Sequence, residues 1–188
     1  MRFFTLLLLM CLPFQRVNGE NPPSGTLVFS GSNGFIGRQA ERVTGDLYTH
    51  VGIVLDGKIY EAVPPAVTRS NWPPKVSSVA FADVYYPVKQ YSGAQAQVMT
   101  AYAGSQLGVP YRLYNYFHPN GPRINGTWCS RFAGDVLVTS GRYVLTEQQK
   151  SEPENLRLSL PGYVFKYRIQ GVEYERRFNH GGRPPSPR

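Results

Sequence analysis

The sequence predicts an α+β domain built on an antiparallel sheet, and three observations carry that expectation. Strand-like and helix-like segments do not follow the regular βαβ alternation that marks a parallel sheet. Residues 48–63, YTHVGIVLDGKIYEAV, spell a hairpin: two runs rich in β-branched and apolar residues flank Asp56-Gly57, a pair favoured in two-residue turns. Segments 94–107 and 130–139 have helical patterning and supply the two main helices to pack against an antiparallel sheet or partial barrel.

Taken in order, Gly25 to Ser30 reads as a first strand, ended by Gly31-Ser32-Asn33-Gly34. No Gly-Lys-Ser/Thr follows these glycines, so they are expected to make a turn rather than a phosphate cradle. Residues 35–43 suit a short helix. Tyr48–Leu55 and Lys58–Val63 are the hairpin strands, the second stopped by Pro64-Pro65. Pro73-Pro74 marks another loop, and 76–88 holds β-branched and aromatic residues for one or two more strands.

Ser92-Gly93-Ala94-Gln95 has the form of a capping box. The helix it opens carries Val98, Ala101, Tyr102 and Ser105 on one face before Gly108. The second helix places Phe132, Ala133, Val136 and Leu137 toward a core, with Gly141 just past its end. Ser151-Glu152-Pro153-Glu154 starts a short helical turn, and strands are expected at Tyr163–Ile169 and Val172–Phe178 around Gln170-Gly171.

Met1-Arg2 followed by a brief apolar run through Pro13 has the pattern of a secretory signal too short to span a bilayer, with cleavage expected near Val17-Asn18-Gly19. Lipid attachment at Cys11 is disfavoured because Met10, not a small residue, precedes it. The expected organisation is a signal over 1–19, one domain over 20–178 and a flexible tail over 179–188, in a secreted or periplasmic protein. A sequence with 13% aromatic and 17% charged residues can bury a core over most of its length.

Of the two cysteines, only Cys129 follows the signal, so no intramolecular disulfide is expected in the mature protein. A lone exported thiol can join another chain, fill a core or do chemistry. The excess of 20 Lys and Arg over 12 Asp and Glu, a formal charge of +8, favours an anionic partner such as a cell-wall polymer and is compatible with peripheral membrane contact. Nucleic acid is not expected, since the basic and aromatic residues of 163–168 alternate as a half-buried strand does.

The hairpin register brings the chemistry together. With Asp56-Gly57 as the turn, Leu55 pairs with Lys58, Val54 with Ile59, Gly52 with Glu61 and His50 with Val63. His50 and Glu61 then share a face as diagonal neighbours, roughly 7–8 Å apart along the backbone, and Gly52 leaves the space between them open. A hydrogen bond between them would set the imidazole tautomer and free the other nitrogen for a thiol. Cys129, at the start of the second helix, is the candidate nucleophile, its thiolate favoured by the helix dipole and an imidazolium. Its backbone N–H is a candidate oxyanion donor. Taken singly, each residue also has a plain structural role: a polar strand start, a solvent-facing carboxylate and a small core filler.

Thr49-His50-Val51-Gly52, Tyr60-Glu61-Ala62-Val63, Leu107-Gly108-Val109-Pro110-Tyr111 and Cys129-Ser130, in this order, resemble the motifs of the YiiX-like, circularly permuted members of the papain-fold NlpC-type cysteine hydrolases. The resemblance spans about residues 24–160. It implies a permuted papain-like fold in which Cys129 is the nucleophile, His50 the general base and then acid, and Glu61 the orienting partner. It also implies that Tyr111 lines the site and assists the oxyanion, with Ser130 close by.

Many relatives have Cys-Ser-Glu where this chain has Cys129-Ser130-Arg131, so Arg131 either favours thiolate or an acidic substrate, or points to solvent. His118 stands in a proline- and glycine-rich loop that is a candidate to overhang the cleft. The histidines and Cys129 lack compact ligand spacing, so neither metal nor other cofactor is expected. Asn125-Gly126-Thr127 fits a glycosylation acceptor, but a glycan so close to Cys129 would crowd a cleft.

The leading expectation is an exported cysteine hydrolase that cleaves an amide or peptide bond in peptidoglycan stem peptides through a thioester. The alternatives are a lipid ester hydrolase or acyltransferase acting on an acylated anionic substrate, and a non-catalytic module that binds cell wall or a partner.

Overall fold

A computed structural model describes residues 21–32, 47–73, 79–112 and 125–170. Within them the chain runs β1 (Thr26–Ser32), β2 (His50–Leu55), β3 (Lys58–Val63), β4 (Ala66–Asn71), β5 (Val79–Pro87), α1 (Gly93–Ser105), α2 (Cys129–Thr139), α3 (Pro153–Leu158) and β6 (Tyr163–Gln170). The strands form one antiparallel sheet in the order β4-β3-β2-β1-β5-β6. The α+β expectation is met. The expected signal, the helix at 35–43, the strand at 172–178 and the tail lie outside the described residues.

The β2–β3 hairpin forms as read. Asp56 and Gly57 take φ of 48° and 65°, the positive values that a two-residue type I′ turn needs. The ladder begins with Leu55–Lys58, Val54–Ile59 and Ile53–Tyr60 and carries no pair beyond these. The expected Gly52–Glu61 and His50–Val63 pairs are absent, although β2 continues along β1 to Ser30–His50 and β3 along β4 to Val63–Ala66. The ladder therefore ends where His50 and Glu61 stand.

Strand periodicity separates two apolar clusters. One holds Leu27, Phe29, Val51, Ile53, Leu55, Tyr60 and Ala62 with Met99 and Ala103 of α1, Phe132, Ala133, Val136 and Leu137 of α2, and Leu156 of α3. The other holds Val28, Val54, Ile59, Ala82, Val84 and Ile169, backed by Trp72, Tyr86 and Tyr167. Val51 through Leu55 are all buried, as befits a strand with an apolar cluster on each side.

The capping box of α1 is formed: the Gln95 N–H donates to Ser92 Oγ, and the Ser92 N–H donates to Gln95 Oε1. Its buried face differs from the one expected. Met99 and Ala103, four residues apart, face the core, whereas Val98, Ala101 and Ser105 are exposed. The α2 core residues are all buried as read, and α2 begins at Cys129 itself. β4 is a strand that the sequence pattern does not announce. It lies at the sheet edge, and only Val67 of its six residues is fully buried.

Beyond the hairpin, β5, β6 and the lead into β2 hold a polar cluster. Asp83, almost fully buried, accepts from Tyr48 Oη at 2.6 Å and from Arg168 Nε and Nη2, each at 2.6 Å. Burial and Asp83's carboxylate keep the Tyr48 hydroxyl protonated well beyond the usual phenol range. The Arg168 guanidinium lies 4.4 Å from the Phe81 ring centre.

Candidate functional site

The site lies where the β2–β3 ladder ends. Glu61 Oε1 accepts from His50 Nε2 at 3.0 Å, with side-chain exposures of 18% and 22%, so the pair is shielded yet reachable. Gly52 makes this contact feasible. A Cβ there would lie 2.8 Å from Ile59 Cδ1, 3.0 Å from Glu61 Cγ and 3.1 Å from Glu61 Oε1, inside the volume the carboxylate uses. Nε2 is engaged, which leaves Nδ1 as the free ring nitrogen.

The Cys129 side chain lies close enough to the same ring to favour its charged form. Desolvation of His50 disfavours its charged form. The nearby Cys129 side chain and the hydrogen bond to Glu61, together with the negative charge of both, outweigh that loss and push its pKa up to about 10. Cys129 is 2% exposed and opens α2. The N-cap residue Trp128 provides no side-chain cap, and the first turn carries no acidic residue, so the positive end of the helix faces the sulfur without a competing carboxylate of its own turn.

A strap of backbone bonds brings Cys129 to His50 across a long stretch of sequence. Tyr111 N–H donates to Pro65 O at 2.8 Å, beside the β3–β4 turn, and Ala66 bridges to Pro110. Tyr111 bridges in parallel to Thr127, two residues before Cys129, with Thr127 N–H donating to Pro110 O and Arg112 N–H to Thr127 O. Gly126, at φ 147°, permits this approach, since a Cβ there would lie 2.6 Å from Pro110 O. The strap therefore links the end of the Glu61 strand to the start of the Cys129 helix.

Of the residues read from sequence, His50, Glu61 and Cys129 come together. Ser130 is fully buried with its Oγ unpartnered. Tyr111 packs against the core that contains Cys129. Arg131 does not point freely to solvent: it is ion-paired to Asp135 at 3.6 Å and to Glu147 at 3.1 Å and lies over the Trp128 ring. His118 lies outside the described residues. Asn125 is exposed and Thr127 buried. Sequence reading passed over Trp128, whose Nε1 donates to Ser151 O at 3.0 Å, and Lys150, buried between Asp135 and Glu147. The i, i+4 spacing of Arg131 and Asp135 was the available signal for part of this network.

Among the described residues no group of three or more His, Cys, Asp or Glu side chains is arranged to hold a metal ion, and no helix is long and apolar enough to cross a membrane. No family model matches the sequence, and no curated protein does. Among solved structures, the crystal structure of the metalloprotein YiiX from Escherichia coli O157:H7 matches with a TM-score of 0.62 at 16% identity, covering 80% of this chain and 99% of that one. The chain therefore shares the YiiX fold.

Proposed function

We propose that this chain is an exported cysteine hydrolase of permuted papain-like fold that cleaves an amide or peptide bond, with peptidoglycan stem peptides as its first substrate. The observation that carries the reading is a single imidazole bonded to a carboxylate through Nε2, with the Cys129 side chain close enough to favour its charged form. Glu61 orients the ring and stabilises its charged form, so a proton taken from the Cys129 sulfur can remain on His50. The α2 N-terminus then faces a thiolate.

In this mechanism the thiolate adds to the substrate carbonyl carbon and the carbonyl electrons move to oxygen, toward the Cys129 backbone N–H. The His50 imidazolium passes its proton to the departing amine as the C–N bond breaks, leaving a thioester. Neutral His50 next takes a proton from water, whose oxygen attacks the thioester, and the proton returns to sulfur as the acid leaves.

YiiX is described as a metalloprotein. Among the described residues, Glu61, His50 and Cys129 form no group arranged to hold an ion, so they do not fit a shared metal. The net charge of +8 supports a polyanionic substrate such as cell wall.

The deciding experiment incubates the purified chain with wall fragments and with phospholipid vesicles, reading products by mass beside a Cys129→Ala control. Cys129-dependent cleavage of stem peptides is the expected result. Cys129-dependent acyl release from lipid alone would move the substrate to lipid esters, and no Cys129-dependent product in either arm would overturn the hydrolase.

A further inference from the structure

Four charged side chains close a ring beside the nucleophile's helix turn. Arg131 Nη1 meets Glu147 Oε2 at 3.1 Å, and Arg131 Nε meets Asp135 Oδ2 at 3.6 Å. Lys150 Nζ completes the circuit at 2.5 Å from Asp135 Oδ1 and 2.9 Å from Glu147 Oε1. Each charge touches two of opposite sign, and the ring sums to zero. Two members stand on α2, and Arg131 is two residues from Cys129.

The ring is built into the fold. Lys150 is 7% exposed, and its stem crosses Gly134 so closely that a Cβ there would lie 2.6 Å from Lys150 Cγ. Desolvation of Lys150 opposes its charge, but hydrogen bonds to Asp135 and Glu147 outweigh this and raise its pKa. Next to it, the Trp128 indole donates to Ser151 O, and the Arg131 guanidinium lies 5.3 Å from the Trp128 ring centre. The chain around 147–151 is thereby tied to the N-cap and first turn of α2. From α1, Tyr102 faces the same charges.

We propose that this ring is an electrostatic positioning device for the Cys129–His50 pair, with Lys150 and Arg131 as positioning residues. It clamps the first turn of α2 while cancelling two carboxylates that would otherwise oppose a thiolate at Cys129. The proposal rests on the cysteine–histidine reading above; among the described residues Glu61 from β3 bonds to His50, and the ring stands on and against the helix that Cys129 opens.

The opposing signs of two substitutions provide the test. Lys150→Met keeps an apolar stem but leaves the ring at −1, whereas Glu147→Gln alters a side chain 50% exposed and leaves it at +1. The readout is the rate of Cys129 alkylation by iodoacetamide across pH, taken on the Cys129 peptide by mass so that Cys11 does not contribute. On the acid limb, Lys150→Met should slow the reaction about threefold and Glu147→Gln should speed it about threefold, as one net charge acts through a medium between protein and water. Lys150→Arg should restore the parent rate.

Shifts in the same direction, or no shift in Glu147→Gln, would overturn the proposal and leave the ring a structural clamp. Glu147→Gln decides alone if Lys150→Met does not fold. A parent protein alkylated no faster than His50→Ala would instead count against the cysteine–histidine reading, which separates the two failures.

Discussion

Two carboxylates on one sheet, Asp83 almost fully buried and Glu61 partly so, meet cations in different ways. Asp83 is gripped by both donors of the Arg168 fork and by the Tyr48 hydroxyl. Arginine does not release its proton, so this cluster can only hold β5, β6 and the lead into β2 together. Glu61 is bonded to a histidine, which can release one, and Cys129 lies close enough to that ring to favour its charged form. The same ingredient becomes structure in one place and a candidate for chemistry in the other, according to whether its partner titrates.

The largest expected effect would break the chemical half of this contrast. Cys129→Ala and His50→Ala should each reduce turnover on the identified substrate by at least ~10³-fold while the thermal transition remains cooperative. Turnover within a few-fold of the parent in either variant would remove that residue from the reaction. Asp83→Asn should do the reverse. Removing a charge that is 3% exposed from a partner that is 39% exposed should cost about 2 kcal/mol in urea unfolding, less than for a fully buried pair, with turnover per folded molecule unchanged.

Titration sharpens the same distinction. A histidine pKa raised to about 10 from an ordinary value near 6.5 means that its charged form contributes stability fully present below the ordinary value and lost as pH rises through the raised one. The alkaline limb of turnover is therefore expected near pH 10. In Cys129→Ala the sulfur's contributions vanish, and the His50 ring should titrate at lower pH by NMR. An unmoved His50 titration would show that the thiol does not set the ring's charge. The Tyr48 hydroxyl, beyond this range, should keep its proton throughout.

Much of the site was legible in sequence because it is local to one hairpin. A turn dipeptide, period-two patterning and one glycine suffice to place His50 beside Glu61, even though the ladder ends before those residues pair. The helix of Cys129 was equally readable from Phe132, Ala133, Val136 and Leu137. The α1 face was not, because small residues surround Met99 and Ala103 and give the helix little contrast between sides. β4 was hidden by its polar, edge-strand composition and by the proline pairs around it. The members of the charged ring at 147 and 150 lie beyond the end of α2, where no periodicity connects them to Cys129.

Smaller changes within the hairpin distinguish orientation from chemistry. Glu61→Gln keeps an acceptor for Nε2 but removes the charge, so turnover should fall about tenfold and stay well above that of Cys129→Ala. Gly52→Ala leaves Glu61, His50 and Cys129 intact and adds one methyl group. That methyl would sit 3.0 Å from Glu61 Cγ and 2.8 Å from Ile59 Cδ1, so either the carboxylate swings off the imidazole or the isoleucine repacks. If the carboxylate yields, turnover should fall about as far as in Glu61→Gln, and the Gly52→Ala/Glu61→Gln double variant should fall little further. If the isoleucine yields, the cost appears as roughly 1 kcal/mol of stability at unchanged turnover. Multiplicative losses in the double variant would mean that Gly52 serves the site by some route other than the space it leaves for Glu61.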